Sequence, residues 1–301
     1  MWILLAFSGP VLWAISTHID KYLVERFFKD HDTAVLMAFT SLLGVFLMPF
    51  IWWFRPQVLG VPLQAVLAVA ASGVLYMGAL LFYLQALQTE EASVVAPMFQ
   101  ASTVWGATLA YVFLGERLTL VQGLGGLMVV IAAVLLSLDP SFHFRKMKSR
   151  FVLRMLACTL ALAVSTLIFK FYAVKDEFWS VTFWTFAGEA VFGIVLLSIP
   201  RYLRQFIALL RASTGAVLGI NGANELINLG GGLGVRYALL LAPVALVQAI
   251  SSTSTLFVFL FGAALTVIAP KLGSEDLSAK NVLRKGVAAA LVAAGVVVMN
   301  A

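Results

Sequence analysis

The sequence predicts an all-α polytopic membrane protein, with ten transmembrane helices arranged as two inverted five-helix repeats. Three observations carry that expectation. Of the 301 residues, 62% are hydrophobic and 11% charged, with a mean hydropathy of +1.00; a soluble domain carries about 25% charge. Apolar runs long enough to cross a bilayer, at roughly 1.5 Å per residue, recur from one end of the chain to the other. Residues 14–22, AISTHIDKY, return at 163–171 as AVSTLIFKF, identical at five of nine positions.

Taken in order, the expected spans are about 2–21, 33–54, 62–87, 91–114, 119–138, 152–173, 179–200, 213–240, 243–269 and 282–300. Their breaks carry turn and charge signals: Arg55-Pro56, Thr89-Glu90-Glu91, Gly115-Glu116-Arg117, Asp139-Pro140 and Lys271 to Asp276. Trp52, Trp53, Trp179 and Trp184 sit near span ends, where the amphipathic ring suits the interface. Residues 1–140 form the first expected repeat, 141–151 a basic linker and 152–301 the second repeat. Two further matches support the duplication. YLQAL at 83–87 answers VRYAL at 235–239, and the small-residue pattern from Gly123 to Val134 returns from Gly286 to Val297. An odd number of spans per half makes the second half cross in the opposite sense, the plan of secondary transporters with a site between the halves.

The eighth span holds the densest polar signal. Asn221, Asn224, Glu225 and Asn228 fall at i, i+3, i+4 and i+7 and share one helix face, followed by Gly230, Gly231, Gly232 and Gly234. A carboxylate near the bilayer centre costs about 2.5–3.5 kcal/mol on insertion scales, so Glu225 is expected to wall a transport cavity. The plainer reading is a neutral acid hydrogen-bonded to the asparagines and holding helices together. Of 14 acidic residues only Glu189 and Glu225 lie well inside apolar spans, and Glu189, after Gly188, has structural and functional readings of equal weight. Burial disfavours the charged carboxylate, which suits a group that takes and releases protons. In the repeat register Thr40 answers Glu189 and Gly73 answers Glu225, so this chemistry differs between the halves.

Lys21 and Lys170 occupy equivalent places in the duplicated motif. Snorkelling to headgroups is the ordinary role of such lysines; the alternatives are pairing of Lys170 with Glu225 or of Lys21 with Asp20. His18 is a candidate proton relay or a satisfied structural group. Gln248, Ser252 and Thr255 fall at i, i+4 and i+7 of the ninth span, and Gln100 and Thr103 lie on the fourth, where Pro97 is expected to kink the helix. These amides and hydroxyls either bind substrate or join helices, at about 0.6–2 kcal/mol each.

Other classes fare poorly. The net charge of +6 gathers at span ends and does not imply nucleic-acid binding. One cysteine, Cys158, permits no internal disulfide, and three scattered histidines offer no metal cluster. The first apolar run lacks a basic leader and reads as a retained helix. The GGGLG run lies within a membrane helix rather than at a strand-to-helix turn, so no nucleotide site, enzyme activity, metal or cofactor is expected.

The block FYLQALQTEEASVVAPMFQASTVWGATLAYVFLGERLT, residues 82–119, resembles the EamA-like family of the drug/metabolite transporter superfamily. It carries that family's aromatic-x-x-Ala-Leu helix end, its fourth helix and its Gly-Glu-Arg turn, and the Gly-rich fifth helix follows. The resemblance extends over the chain as five plus five helices. It implies a central cavity lined by helices 1, 3, 4, 6, 8 and 9, export of metabolites or drugs by alternating access, and cytoplasmic termini. Two features depart from the pattern: PKLGSED at 270–276 replaces the second Gly-Glu-Arg turn, and the Asn/Glu column is not a general family trait.

The expected function is secondary active transport, in the export direction, of a small organic metabolite or amphipathic cation, with protons as a candidate coupling ion. The alternatives are a lipid or lipid-linked headgroup translocator and a membrane interaction protein without transport activity. The expected location is the bacterial inner membrane; the oligomeric state is open. Orientation sets two arguments against each other. Fifteen Lys and Arg fall at the connections after the odd-numbered spans and five (Arg55, Arg117, Lys170, Lys175, Arg236) at the others, so the positive-inside rule places both termini outside the cytoplasm.

Overall fold

The computed structural model describes residues 1–27, 33–89, 95, 98–137, 149–212, 215–268 and 278–300. Most of the expected linker, Pro97 and the PKLGSED segment lie outside them. The described residues form helices joined by short turns, with no strand among them, which is the outcome lipid imposes, because a spanning segment must satisfy its backbone groups internally. In chain order the helices are α1 (Trp2–Phe27), α2 (Thr33–Phe54), α3 (Leu63–Thr89), α4 (Ala101–Leu114), α5 (Leu120–Ser137), α6 (Ser149–Lys175), α7 (Phe178–Leu197), α8 (Pro200–Ala212), α9 (Gly215–Leu241), α10 (Val244–Ser251), α11 (Ser254–Ile268) and α12 (Ala279–Met299). Among the described residues, seven candidate spans are long and apolar enough to cross a membrane: α1, α2, α3, α6, α7, α10 with α11, and α12. The helices α4 and α5 are shorter and apolar, and α9 carries the polar column.

Two differences from the expected elements are physical. The ninth span is two helices, interrupted at Ser252 and Thr253, whose hydroxyls bond back to Ala249 O (2.6 Å) and Ile250 O (2.7 Å); such bonds compete with the helical ladder. The Arg201–Arg211 stretch, expected as a basic connection, is the helix α8. The glycine run lies inside the continuous helix α9, where Gly231 and Gly234 rest on Gly9 and Ser8 of α1.

The packing defines two ends. At the terminal end, Trp2, Leu114, Phe178, Val244 and Met299 join one apolar cluster. At the opposite, basic end, Ile19, Tyr22, Val35 and Tyr202 pack with Leu209 of α8. Between them α1 lies on α9, α6 on α3, α5 on α12, α2 on α7, and α3 on α7. The helices α3 and α7 approach closely, backbone to backbone: a Cβ at Gly188 would overlap the Ala70 carbonyl, and one at Gly73 the Thr185 carbonyl. Only glycine permits that spacing.

Candidate functional site

Three layers of buried polar groups run through the bundle from the basic end to the terminal end. The first is built on the face of α9. Glu225 is 8% exposed and Asn224 fully buried, while Asp20 at the edge of α1 is exposed. Thr40 of α2 donates to Glu225 Oε1 at 2.8 Å, and Asn228, one turn further along α9, also bonds this carboxylate. Asn224 Nδ2 donates to Asp20 Oδ1 at 2.6 Å, and Ser16 Oγ reaches Asp20 Oδ2 at 3.4 Å. Trp13 Nε1 donates to the Asn228 carbonyl at 3.3 Å, which fixes α1 against α9. Among the described residues the acceptors of this layer outnumber its donors: two carboxylates face amides and hydroxyls, and the buried Asn224 Oδ1 has no hydrogen-bond donor. A group supplying positive charge or N–H would complete it.

The second layer is an ion pair. Arg236 of α9 pairs with Glu189 of α7, with side chains 17% and 5% exposed. The guanidinium carbon lies 5.3 Å from the Phe186 ring centroid, 5.6 Å from Phe169 and 5.8 Å from Tyr76. This box substitutes for water around the charge. Among the described residues, Glu189 therefore has a cationic partner and Glu225 has none. Arg236, read from sequence as a connection charge, is interior.

The third layer closes the terminal end, and the Gly-Glu-Arg turn builds it. Gly115 ends α4 in the left-handed region (φ +66°), a conformation that favours glycine, and the chain turns there with Glu116 N–H bonded to Ala110 O at 3.2 Å. Thr119 and Gln122 then exchange reciprocal bonds of 3.1 Å, a capping box that starts α5. The turn aims Glu116 inward. Its Oε2 accepts from Val244 N–H at 2.8 Å, an orphan donor of the first turn of α10. Its other oxygen pairs with Lys170 Nζ of α6, which also donates to Ala242 O, beyond the end of α9, at 2.6 Å. The clamp sets a carboxylate at a helix N-terminus and an ammonium at a helix C-terminus, the favourable sense for both helix dipoles. Lys170 is thus buried, neither snorkelling nor paired with Glu225. Crevices of about 470 and 300 Å³ flank this clamp, the first bordered by Tyr111, Arg117 and Ala245, the second by Phe113, Phe171 and Lys175.

The remaining sequence-derived candidates are dispersed. Asn221 begins the polar column, half-buried, and Lys21 is exposed. His18 bonds the Val258 carbonyl of α11 at 2.9 Å, a structural link between helices. Gln100, Thr103 and Ser252 are buried and Thr255 half-buried. The Gln248 side chain lies over Gly106 of α4, joining the fourth and ninth spans. Among the described residues, Trp105 Nε1, Gln248 Oε1 and Ser251 Oγ on these two spans are buried without hydrogen-bond partners. Glu116 and Arg236 are the interior charges that sequence reasoning missed; the signal available was the Gly-Glu-Arg turn for the first and its place five residues inside the eighth span for the second.

A helical bundle of this kind, apolar outside and ionic within, is a multi-pass integral membrane protein. Residues 1–138, just under half of the chain, match the model of the EamA-like transporter family, so that part of the chain is similar to membrane transporters of that family. A crystal structure of another protein, 16% identical in sequence, superposes with a TM-score of 0.73 over 99% of this chain and 95% of its own length. That likeness concerns the fold. No curated protein matches the sequence.

Proposed function

We propose that this protein is a secondary active transporter that moves a small organic metabolite or amphipathic cation by alternating access, in the export direction, with Glu225 and Asp20 holding the coupling proton or the cationic group of the substrate. The observation that carries the reading is the contrast between the layers. Glu189 and Glu116 each have a cation, whereas among the described residues Glu225 and Asp20 are bonded by amides and hydroxyls. Asparagine and threonine can hydrogen-bond a carboxylate in either protonation state, so the pair can take up and release a positive charge without unpairing another one. Asn221, Asn228, Gln100, Thr103, Gln248, Ser252 and Thr255 are proposed to line the route with uncharged polar groups, beside the unpartnered Trp105 and Ser251.

The architecture proposed is two inverted five-helix repeats, 1–140 and 152–301, joined by a basic linker. In it the fourth span is completed by α4, the ninth is α10 with α11, and α8 stays at the surface. The packing supports that plan, because α1 on α9 mirrors α6 on α3. The register supports it too. Thr40 answers Glu189 and Glu225 answers Gly73; Thr40 touches Glu225, and Gly73 lies against the backbone of Glu189. The two contacts are not equally tight. The α3–α7 contact is close and extensive, while its counterpart between α9 and α2 is sparse. We read this asymmetry as one state of an alternating pair: sealed at the terminal end by Glu116–Lys170, looser at the basic end beside Asp20 and Glu225. With Lys170 and Arg236 interior, only Arg55, Arg117 and Lys175 remain at the terminal end, which favours a cytoplasmic basic end and outside termini.

The test is counterflow: purified protein in liposomes, loaded with a cellular metabolite extract and assayed for solute exchange. Movement of a small solute supports the reading. Movement of headgroup-labelled lipid alone, or of nothing, overturns it.

A further inference from the structure

The helix α8 connects two spans yet does not cross the membrane, and its thirteen residues sort into three faces at helical spacing. Tyr202, Gln205, Phe206 and Leu209, at i, i+3, i+4 and i+7, face the bundle; Phe206 stacks on Phe39 of α2 at 4.5 Å and Leu209 is buried against Val35. Leu203, Ile207 and Leu210 form a second, apolar stripe, 41%, 37% and 39% exposed. Arg201, Arg204 and Arg211 form a third face, exposed and with Ala208 between them. The segment PRYLRQFIALLRA contains no acidic residue.

A helix packed on its protein needs only the first face. One lying in the plane of a bilayer surface needs all three: a docked face, an apolar face toward acyl chains, and a basic face at the headgroups. At about 100° per residue, the apolar stripe lies between the docked and basic faces on one side of the helix. Seated on α2 at the basic end, the helix can therefore turn its leucines inward and its arginines outward at once. Guanidinium groups match phosphate oxygens in geometry as well as in charge.

We propose that α8 is an in-plane binding element for the headgroups of anionic phospholipids in the leaflet at the basic end, held by Arg201, Arg204 and Arg211. The contact is made close to the buried acidic layer, since Phe39, under Phe206, adjoins Thr40, which holds Glu225. The proposal stands apart from transport, because it concerns a surface that any function of the bundle would retain.

Thermal unfolding of the full-length protein tests it, in nanodiscs of phosphatidylcholine alone and with about one-third phosphatidylglycerol. Each basic group near an anionic surface adds about five-fold to binding. The wild type is therefore expected to melt several degrees higher with phosphatidylglycerol, and the increment is expected to shrink in high salt. The triple variant Arg201→Gln/Arg204→Gln/Arg211→Gln is expected to lose the increment, and the corresponding triple lysine variant to keep most of it. An increment that is absent in the wild type, insensitive to salt, or undiminished in the glutamine variant would overturn the proposal. So would a lysine variant that loses it completely, because stabilisation would then not follow charge.

Discussion

Removing one member of the Glu116–Lys170 pair separates the clamp's electrostatics from its packing. In Glu116→Gln the amide oxygen can still accept from Val244 N–H, but Lys170 keeps its charge with only the Ala242 carbonyl beside it. Breaking a buried pair from one side costs about 3–5 kcal/mol. With the two side chains 10% and 15% exposed, the lower end of that range, about 3 kcal/mol, is the appropriate scale. For a chain of this length that is a fall of roughly 6 °C in melting temperature. Lys170→Met should cost less, because Glu116 keeps a backbone donor at a helix N-terminus. The double variant should recover most of the loss, giving a coupling of about 2 kcal/mol in a thermal double-mutant cycle. A second readout addresses the gate. Cys158 is the only cysteine, so Ala245→Cys in a Cys158→Ser background reports on the crevice beside Glu116, and its maleimide labelling should quicken in Glu116→Gln. Additive single variants within a degree of wild type, with unchanged labelling, would refute the clamp.

Other positions follow the same physics. Arg236→Met should be the more damaging change at the second layer, by about 3–5 kcal/mol, because Glu189 is left almost fully buried with no cation; Arg236→Met with Glu189→Gln should restore most of that, read as melting temperature in detergent. Gly188→Ala should destabilise by about 1–3 kcal/mol or more, since its Cβ would meet the Ala70 backbone, which cannot swing aside as a side chain can. Gly232→Ala, with nothing near the added methyl, should leave the melting temperature within about a degree.

The helices were legible because apolar length is a property of composition, and the polar column on α9 because four residues at helical spacing share a face without reference to any partner. Depth and pairing were not legible. Lys170 and Arg236 each lie five residues from the end of their helix, a position compatible with snorkelling; only the approach of Glu116 and Glu189 from distant segments makes them interior. The Gly-Glu-Arg turn was visible as a turn, but its carboxylate reaches a helix start 128 residues further on, which no local pattern encodes. The break at Ser252 and Thr253 and the helix α8 left weaker traces. In the first, the Ser252 hydroxyl was read as side-chain chemistry when it bonds its own backbone, as does that of Thr253 beside it. In the second, the basic residues were counted as a connection, and the apolar residues between them at i, i+4 and i+7 were passed over.

The central claim is that Glu225 carries a positive charge or a proton through the transport cycle, and Glu225→Gln tests it most directly. Glutamine keeps the size of the side chain and its bond from Thr40 while deleting the charge. Uptake of the counterflow substrate into proteoliposomes would be measured with and without a pH gradient. If the carboxylate couples protons, the variant folds, still exchanges substrate at equal pH, and loses the response to the gradient; if it holds a cationic group, substrate affinity itself collapses. Transport at the wild-type rate with the wild-type pH dependence would contradict the account, leaving Glu225 as a hydrogen-bonded tie between α2 and α9.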